Sequence, residues 1–274
     1  MKTRVLVAAV GIPVLLLVVL WGPDWVIMGA LCALAGIAGV ELQRCVSGGT
    51  QGDWMVTLLS AAYPVLAVML YAQWPMHRRL LPVLFFSEVV FVFLHAIHEA
   101  GRVKFEQIMA ALFSSVGIAW SFSSFLRMES AGLHRVWLLM PFVLSFSCDT
   151  FAYLAGRMFG RQKLAPAVSP KKTVEGAVGG LAGNLLCGLL FAFLMNRFLG
   201  ESVGYGTMAV LSLLCAFAAQ AGDLSFSLIK RQYGVKDYGR IFLAHGGVLD
   251  RFDSVLFVAP VIEIILSMAG PSAL

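Results

Sequence analysis

The chain has 274 residues; 59% are hydrophobic and 13% charged, with a mean hydropathy of +0.86 and a formal net charge of +5. A soluble globule of this length would need far more charge to cover its outside, so the composition excludes an ordinary soluble enzyme and points to an integral membrane protein. The basic excess contains no aromatic-interleaved basic tract, which argues against nucleic acid as a partner; it reads instead as cytoplasmic loops that face anionic partners and membrane lipids.

In chain order, MKTR leads directly into an apolar run without a small-x-small cleavage site, so the first segment is read as an uncleaved span and not as a signal peptide. Apolar runs of about helix-spanning length then recur at about 5–21, 25–42, 54–73, 80–97, 107–126, 136–155, 176–196, 204–226 and 249–268. The expected fold class is all-α, with about nine transmembrane helices and a polar site at the cytoplasmic interface. Residues 1–274 form one polytopic membrane domain, with N-terminal helices over about 1–126 and catalytic C-terminal helices over about 136–268. Glu41 ends the second span, and Glu88 and Glu263 lie inside the fourth and ninth. Glu88 and His95 are i,i+7 and are expected to form a buried pair, with a proton relay as the less favoured reading. Five scattered cysteines without a CxxC argue against a zinc site or a disulfide framework.

With the N-terminus in the cytoplasm, 15 of the 20 Lys and Arg fall on the cytoplasmic side and 5 on the other, a firm orientation under the positive-inside rule. That places the loops at 156–175 and 231–248 in the cytoplasm. Gly176/Gly180 and Gly179/Gly183 form GxxxG pairs in the seventh span. Close helix packing within the chain is the favoured reading, with a homodimer seam as the alternative.

Chemistry concentrates in two stretches. In the first, Asp149 lies inside an apolar run, where a carboxylate must be paired or line a watery cavity, and Tyr153 shares its helix face. Arg157, Arg161 and Lys163 read as ordinary snorkelling cations. Ser169-Pro170 reads as a helix N-cap with Pro at N1, and Lys171, Lys172 and Thr173 at a helix start suit a phosphate. In the second stretch, residues 223–253, Asp223 and Ser227 are i,i+4, with Lys230 one turn further on and Arg231 beside it. His245-Gly246-Gly247 precedes Asp250 and Asp253, which are i,i+3 on one helix face. Glycines before a helix admit a close phosphate, and several carboxylates suit Mg²⁺. Helix-dipole complementation is an equally good reading of Asp250 and Asp253 taken alone.

These residues resemble the CDP-diacylglycerol synthases, or phosphatidate cytidylyltransferases. The C-terminal signature of that family is matched by Ser227, Lys230, Arg231, Lys236, Asp237, His245, Gly246, Gly247, Asp250, Arg251 and Asp253, and a second match is the SPKKTVEG run with Asp149 and Tyr153 upstream. One departure stands out: Leu243-Ala244 replaces the usual Pro-Gly before the His, which removes two turn formers. The resemblance implies transfer of CMP from CTP to phosphatidate, with release of pyrophosphate, by a multi-pass protein of a bacterial-type inner membrane. It implies Mg²⁺, and leaves room for a second cation such as K⁺. Together with placement it makes Asp223, Asp250 and Asp253 the metal ligands, with Asp149 as a further candidate. It also makes Lys171, Lys172, Lys230 and Arg231 the phosphate binders. Asp223→Asn and Asp250→Asn are expected to spare the fold, since each removes a buried charge. The alternatives are a CTP-dependent polyprenol or lipid kinase and a transporter of a phosphorylated metabolite.

Overall fold

The structure is a computed structural model that describes residues 2–49, 52–72, 79–241 and 246–269. The helices are α1 (Lys2–Trp21), α2 (Asp24–Val46), α3 (Trp54–Ala72), α4 (Leu80–His98), α5 (Phe105–Phe113), α6 (Ala119–Ser130), α7 (Met140–Phe159), α8 (Val174–Phe198), α9 (Tyr205–Gln232) and α10 (Leu249–Ala269). A π-turn at Ser114–Ile118 joins α5 to α6 in one continuous rod, and a 3₁₀ turn at Arg135–Leu139 leads into α7. Two short antiparallel strands, β1 (Lys163–Ala165) and β2 (Ser169–Thr173), form a hairpin between α7 and α8.

The fold is all-α and membrane-spanning. Among the described residues, seven helical segments are long and apolar enough to cross a membrane: α2, α3, α4, α5 with α6, the 3₁₀ turn with α7, α8, and α9. The other two expected spans, α1 and α10, are also helical; α10 carries Asp250, Arg251 and Asp253 at its start and Glu263 further along. Helix α4 shows what the outer surface is like: Phe86, Leu94 and Ile97 are each more than half exposed. In water such a face would be a liability; against lipid it is the ordinary condition of a span.

The chain divides into two compact units, Met1–Ser130 with Ile229–Phe252, and Ala131–Leu228 with Asp253–Leu274. Residues 229–252 thus group with the N-terminal helices.

In the first unit α2 lies close against α3, because a Cβ at Gly39 would run into the Ser60 carbonyl. Val56, Val92, Ile108 and Ala111 pack together as its core. The expected Glu88–His95 pair does not form. Glu88 accepts from Ser115 Oγ at 2.7 Å, on the π-turn, whereas His95 Nε2 lies 2.8 Å from Asp53 Oδ1. Seven residues is two helical turns, and the nearer polar partners come from neighbouring elements. Asp53 also accepts from the backbone N–H groups of Met55 and Val56, at 3.0 Å each, and so caps α3. Burial pushes its carboxyl up, but the Val56 N–H, His95 and the Met55 N–H together hold it below the usual carboxylate value.

In the second unit α7 lies along α8 through the glycine ladder. A Cβ at Gly180 would stand 3.1 Å from the Cys148 carbonyl oxygen, and one at Gly183 would run into the Phe151 ring. Both GxxxG pairs are therefore used inside the chain. Buried Asn184 ties three helices: it accepts from Ser147 Oγ at 2.7 Å and donates to the Ser212 carbonyl at 2.9 Å.

Candidate active site

The hairpin between α7 and α8 is pinned at both ends. Val174 N donates to the Gln162 carbonyl at 2.9 Å, and Glu175 accepts from the backbone N–H groups of Arg161 and Gln162 at 3.0 and 3.2 Å. Thr173 caps α8 by accepting from Gly176 N at 3.1 Å. The Ser169-Pro170 cap read from the sequence is thus displaced: both residues begin β2, and the N-cap is Thr173 four residues later. The reason is local, since Thr supplies the β-region backbone and the side-chain oxygen that a cap needs. As a result Lys171 and Lys172 lie on a strand and not in the first turn of a helix.

Asp149, Tyr153, Lys171, Lys172, Thr173 and Asp223, all singled out in the sequence, line one cavity of about 320 Å³. Asp149 and Tyr153 share one face of α7, as their i,i+4 spacing requires. Arg157, read as a snorkelling cation, also lines this cavity. Lys172 forms an ion pair with Asp223, and both side chains keep about a quarter of their surface exposed (28% and 24%). Solvent therefore still reaches the pair, and ion pairs that water reaches are weakly held. Ser227 Oγ donates to the other Asp223 oxygen at 3.3 Å, and Ser254 Oγ contacts Asp149 Oδ2 at 3.5 Å. Gln220, which no sequence pattern marked, lines the same cavity and donates to the Ala177 carbonyl at 3.1 Å.

In the first unit, Asp250 does different work. Its Oδ1 accepts from Lys230 Nζ at 2.8 Å; its Oδ2 accepts from the backbone N–H groups of Tyr238 and Gly247, at 2.7 and 2.9 Å. The side chains of Lys230 and Asp250 are 12% and 4% exposed. Both carboxylate oxygens thus already hold donors, and a cation at Oδ1 would have to replace the ammonium of Lys230. This geometry argues against the expectation that Asp250→Asn spares the fold. An amide would leave the nearly buried Lys230 charge facing no carboxylate, and uncompensated buried charge is the costly case. Gly246 has φ +84°, and a Cβ there would crowd Asp250.

Glu41, a residue with no role in the sequence reading, completes this corner. Its oxygens accept from Val248 N and Leu249 N at 3.0 and 2.9 Å, so it caps the start of α10 from α2. The signal was a carboxylate at the end of an apolar run; its partners lie more than 200 residues away, beyond any local pattern.

The remaining site residues scatter. Arg231 and Arg251 are exposed, Lys236 and Asp237 line a separate cavity, and Asp253 Oδ1 accepts from Ser254 N at 2.8 Å. His245, and the Leu243-Ala244 departure before it, lie outside the described residues. Among the described residues no group of three or more His, Cys, Asp or Glu side chains gathers into a metal cage.

A phosphatidate cytidylyltransferase of Staphylococcus haemolyticus is 30% identical over 97% of this chain and 99% of its own length. Namesakes from Staphylococcus saprophyticus and Staphylococcus aureus are 37% and 38% identical over shorter alignments, covering 63% and 64% of this chain and 64% and 65% of theirs. Residues 2–269 match the profile of the cytidylyltransferase family. A match over nearly the whole chain takes in both the cavity of the second unit and the Asp250 corner of the first, and the chain belongs to the cytidylyltransferase family.

Proposed function

We propose that this protein transfers the CMP group of CTP to phosphatidate, giving CDP-diacylglycerol and pyrophosphate. The observation that carries the reading is the Lys172–Asp223 pair, set in a cavity with Lys171, Arg157 and Asp149 in a member of this family. A phosphate oxygen of the lipid attacks the α-phosphorus of CTP, a new P–O bond forms, the α–β P–O bond breaks, and pyrophosphate leaves with its electron pair. The lipid phosphomonoester is already ionised near neutral pH, so no general base is needed. The difficulty is charge: two anions must meet and a third must depart. Lys171, Lys172 and Arg157 supply three cations against two carboxylates on the cavity wall, which suits the CTP phosphates and the departing pyrophosphate, since positioned cations act most strongly on charge that develops in the transition state.

Mg²⁺ fits the donor set. The ion commonly takes one or two carboxylates and completes its shell with water and substrate phosphates. Asp223 and Asp149, hard oxygen donors on one cavity, would hold it. When bound it neutralises phosphate charge and stabilises the leaving pyrophosphate. With Asp223 engaged by the ion, Lys172 would be free to hold the substrate phosphates. The 15-to-5 distribution of Lys and Arg supports a cytoplasmic hairpin, the side from which a water-soluble nucleotide arrives.

The test is a detergent assay with purified protein, CTP, Mg²⁺ and phosphatidate, scoring pyrophosphate and liponucleotide together. Equal amounts of both support the reading. Free CDP without pyrophosphate would indicate a lipid kinase. Uptake of a phosphorylated metabolite into sealed vesicles without CTP consumption would indicate a transporter.

A further inference from the structure

Within the first unit, two cavities share Arg44, Gly239 and Arg240 on their walls. One, of about 400 Å³, is an apolar groove between α2 and α3. The other, of about 490 Å³, is polar and adds Lys236 and Asp237. On α2 the groove follows Ala33, Ile37, Val40 and Arg44, an i, i+4, i+7, i+11 stripe along one helix face. Ala61 and Val65 of α3 form the opposite wall. From Ala33 to Arg44 the helix rises about 16 Å, roughly half of the ~30 Å hydrocarbon thickness, or one leaflet. An apolar groove of that length with cations at one end suits part of one acyl chain below a charged headgroup.

We infer that this pair of cavities binds the phosphomonoester lipid substrate, with the phosphate against Arg44, Arg240 and Lys236 and the first part of an acyl chain in the α2–α3 groove. The inference rests on the phosphatidate reading and adds where the lipid is held. Charge supports that occupant. Arg44, Lys236 and Arg240 are all exposed and face one exposed acid, Asp237. The other carboxylate on the walls, Glu41, is engaged by Val248 N and Leu249 N. A phosphomonoester carries about −1.5 to −2 and three acceptor oxygens, and guanidinium forks match phosphate oxygens two at a time. A phosphocholine head, with its own cation, would gain far less. Gly239 keeps the loop close, since a Cβ there would run into Glu41.

The experiment uses the whole protein in detergent with two readouts. In the first, a phosphatidate with a photoreactive acyl chain labels the protein, and the labelled peptide is identified. Labelling should fall within residues 33–65, be competed by dioctanoyl phosphatidate, and resist dioctanoyl phosphatidylcholine and inorganic phosphate at equal concentration. In the second, Arg44→Gln and Arg240→Gln, both at exposed positions, should each raise KM for phosphatidate by at least about tenfold, equivalent to about 1.4 kcal/mol, with KM for CTP within about twofold of the parent. Ala33→Phe, which fills the groove from an exposed position, should reduce labelling without touching a charge. An active parent whose labelling lies elsewhere, or whose folded double arginine variant keeps its KM for phosphatidate, overturns the site and leaves the function standing. Equal competition by inorganic phosphate overturns it too, because the cavity then binds free phosphate. A parent that labels as described but makes no liponucleotide upholds the lipid site and removes the reaction.

Discussion

Glu41→Ala should loosen the start of α10 more than any surface change. Glu41 is 2% exposed and accepts two backbone N–H groups, from Val248 at 3.0 Å and Leu249 at 2.9 Å. Hydrogen bonds to charged groups contribute about 1.5–3 kcal/mol each, and a buried donor left unpaired costs a similar amount. Helix-dipole complementation at the N-terminus adds about 0.3–1 kcal/mol. Removing the carboxylate also removes its own desolvation cost, which offsets part of the loss. A net local loss of about 3 kcal/mol is therefore reasonable, and about 2.7 kcal/mol is a hundredfold in an opening equilibrium. Glu41→Gln keeps one acceptor oxygen and turns an amide N–H₂ toward the second donor, so about tenfold is expected. The assay is amide hydrogen exchange in detergent, followed for residues 246–253. If the Ala variant keeps parental protection at Val248 and Leu249 within about threefold, these two hydrogen bonds do not hold the turn and the argument fails.

Asp223→Asn should fold normally and lose at least about a hundredfold in turnover, about 2.7 kcal/mol, with Glu263→Gln as the control, read as liponucleotide synthesis across an Mg²⁺ titration. Asp250→Asn should instead lose stability by about 3–5 kcal/mol, because Lys230 keeps its charge at 12% exposure; a parental melting curve for that variant would contradict the buried pair. Gly183→Leu should destabilise the protein by at least about 1–3 kcal/mol through overpacking against Phe151, whereas Gly206→Ala, with no atom near its Cβ position, should change melting little. The depressed Asp53 carboxyl sets the sign of one acid effect. Its contribution is complete above the unfolded value near pH 4 and is lost as pH falls through the lower folded value. Asp53→Asn should flatten the acid limb of a melting-temperature profile below about pH 4 and leave its neutral region parallel to the parent.

Helix placement was legible because it depends on one-dimensional properties. An apolar run of span length becomes a helix in lipid, since only a helix satisfies all of its backbone polar groups within the one segment. The Gly176-to-Gly183 ladder was legible for the same reason: spacing alone aligns the glycines on one face, and close approach to α7 needs nothing more. Where the reading went astray, a side chain had a choice of partners. His95 could have met Glu88 two turns away on its own helix, but Asp53, already holding the start of α3, stands 2.8 Å from its Nε2. Ser169-Pro170 had the composition of a cap, yet the hairpin places Thr173 at the helix start.

The two carboxylates most alike in the sequence show where such reading ends. Asp223 and Asp250 both pair with a lysine at the edge of an apolar helix, and both were expected to be metal ligands. Their surroundings separate them. Asp223 meets a lysine, with both side chains about a quarter exposed, on the wall of a cavity that also presents Lys171 and Arg157. Asp250 is closed in by Lys230, Tyr238 N and Gly247 N at 4% exposure. A ligand that must arrive and leave in each turnover is better served by the first kind of carboxylate, because exchanging a partner there strips little from a charge that water still reaches. The second kind stabilises the chain path, since it fastens three separate points of the 230–250 segment to one side chain. The same residue type paired with a lysine is thus open to solvent in one place and fastened in the other, and burial, which no spacing encodes, decides between them.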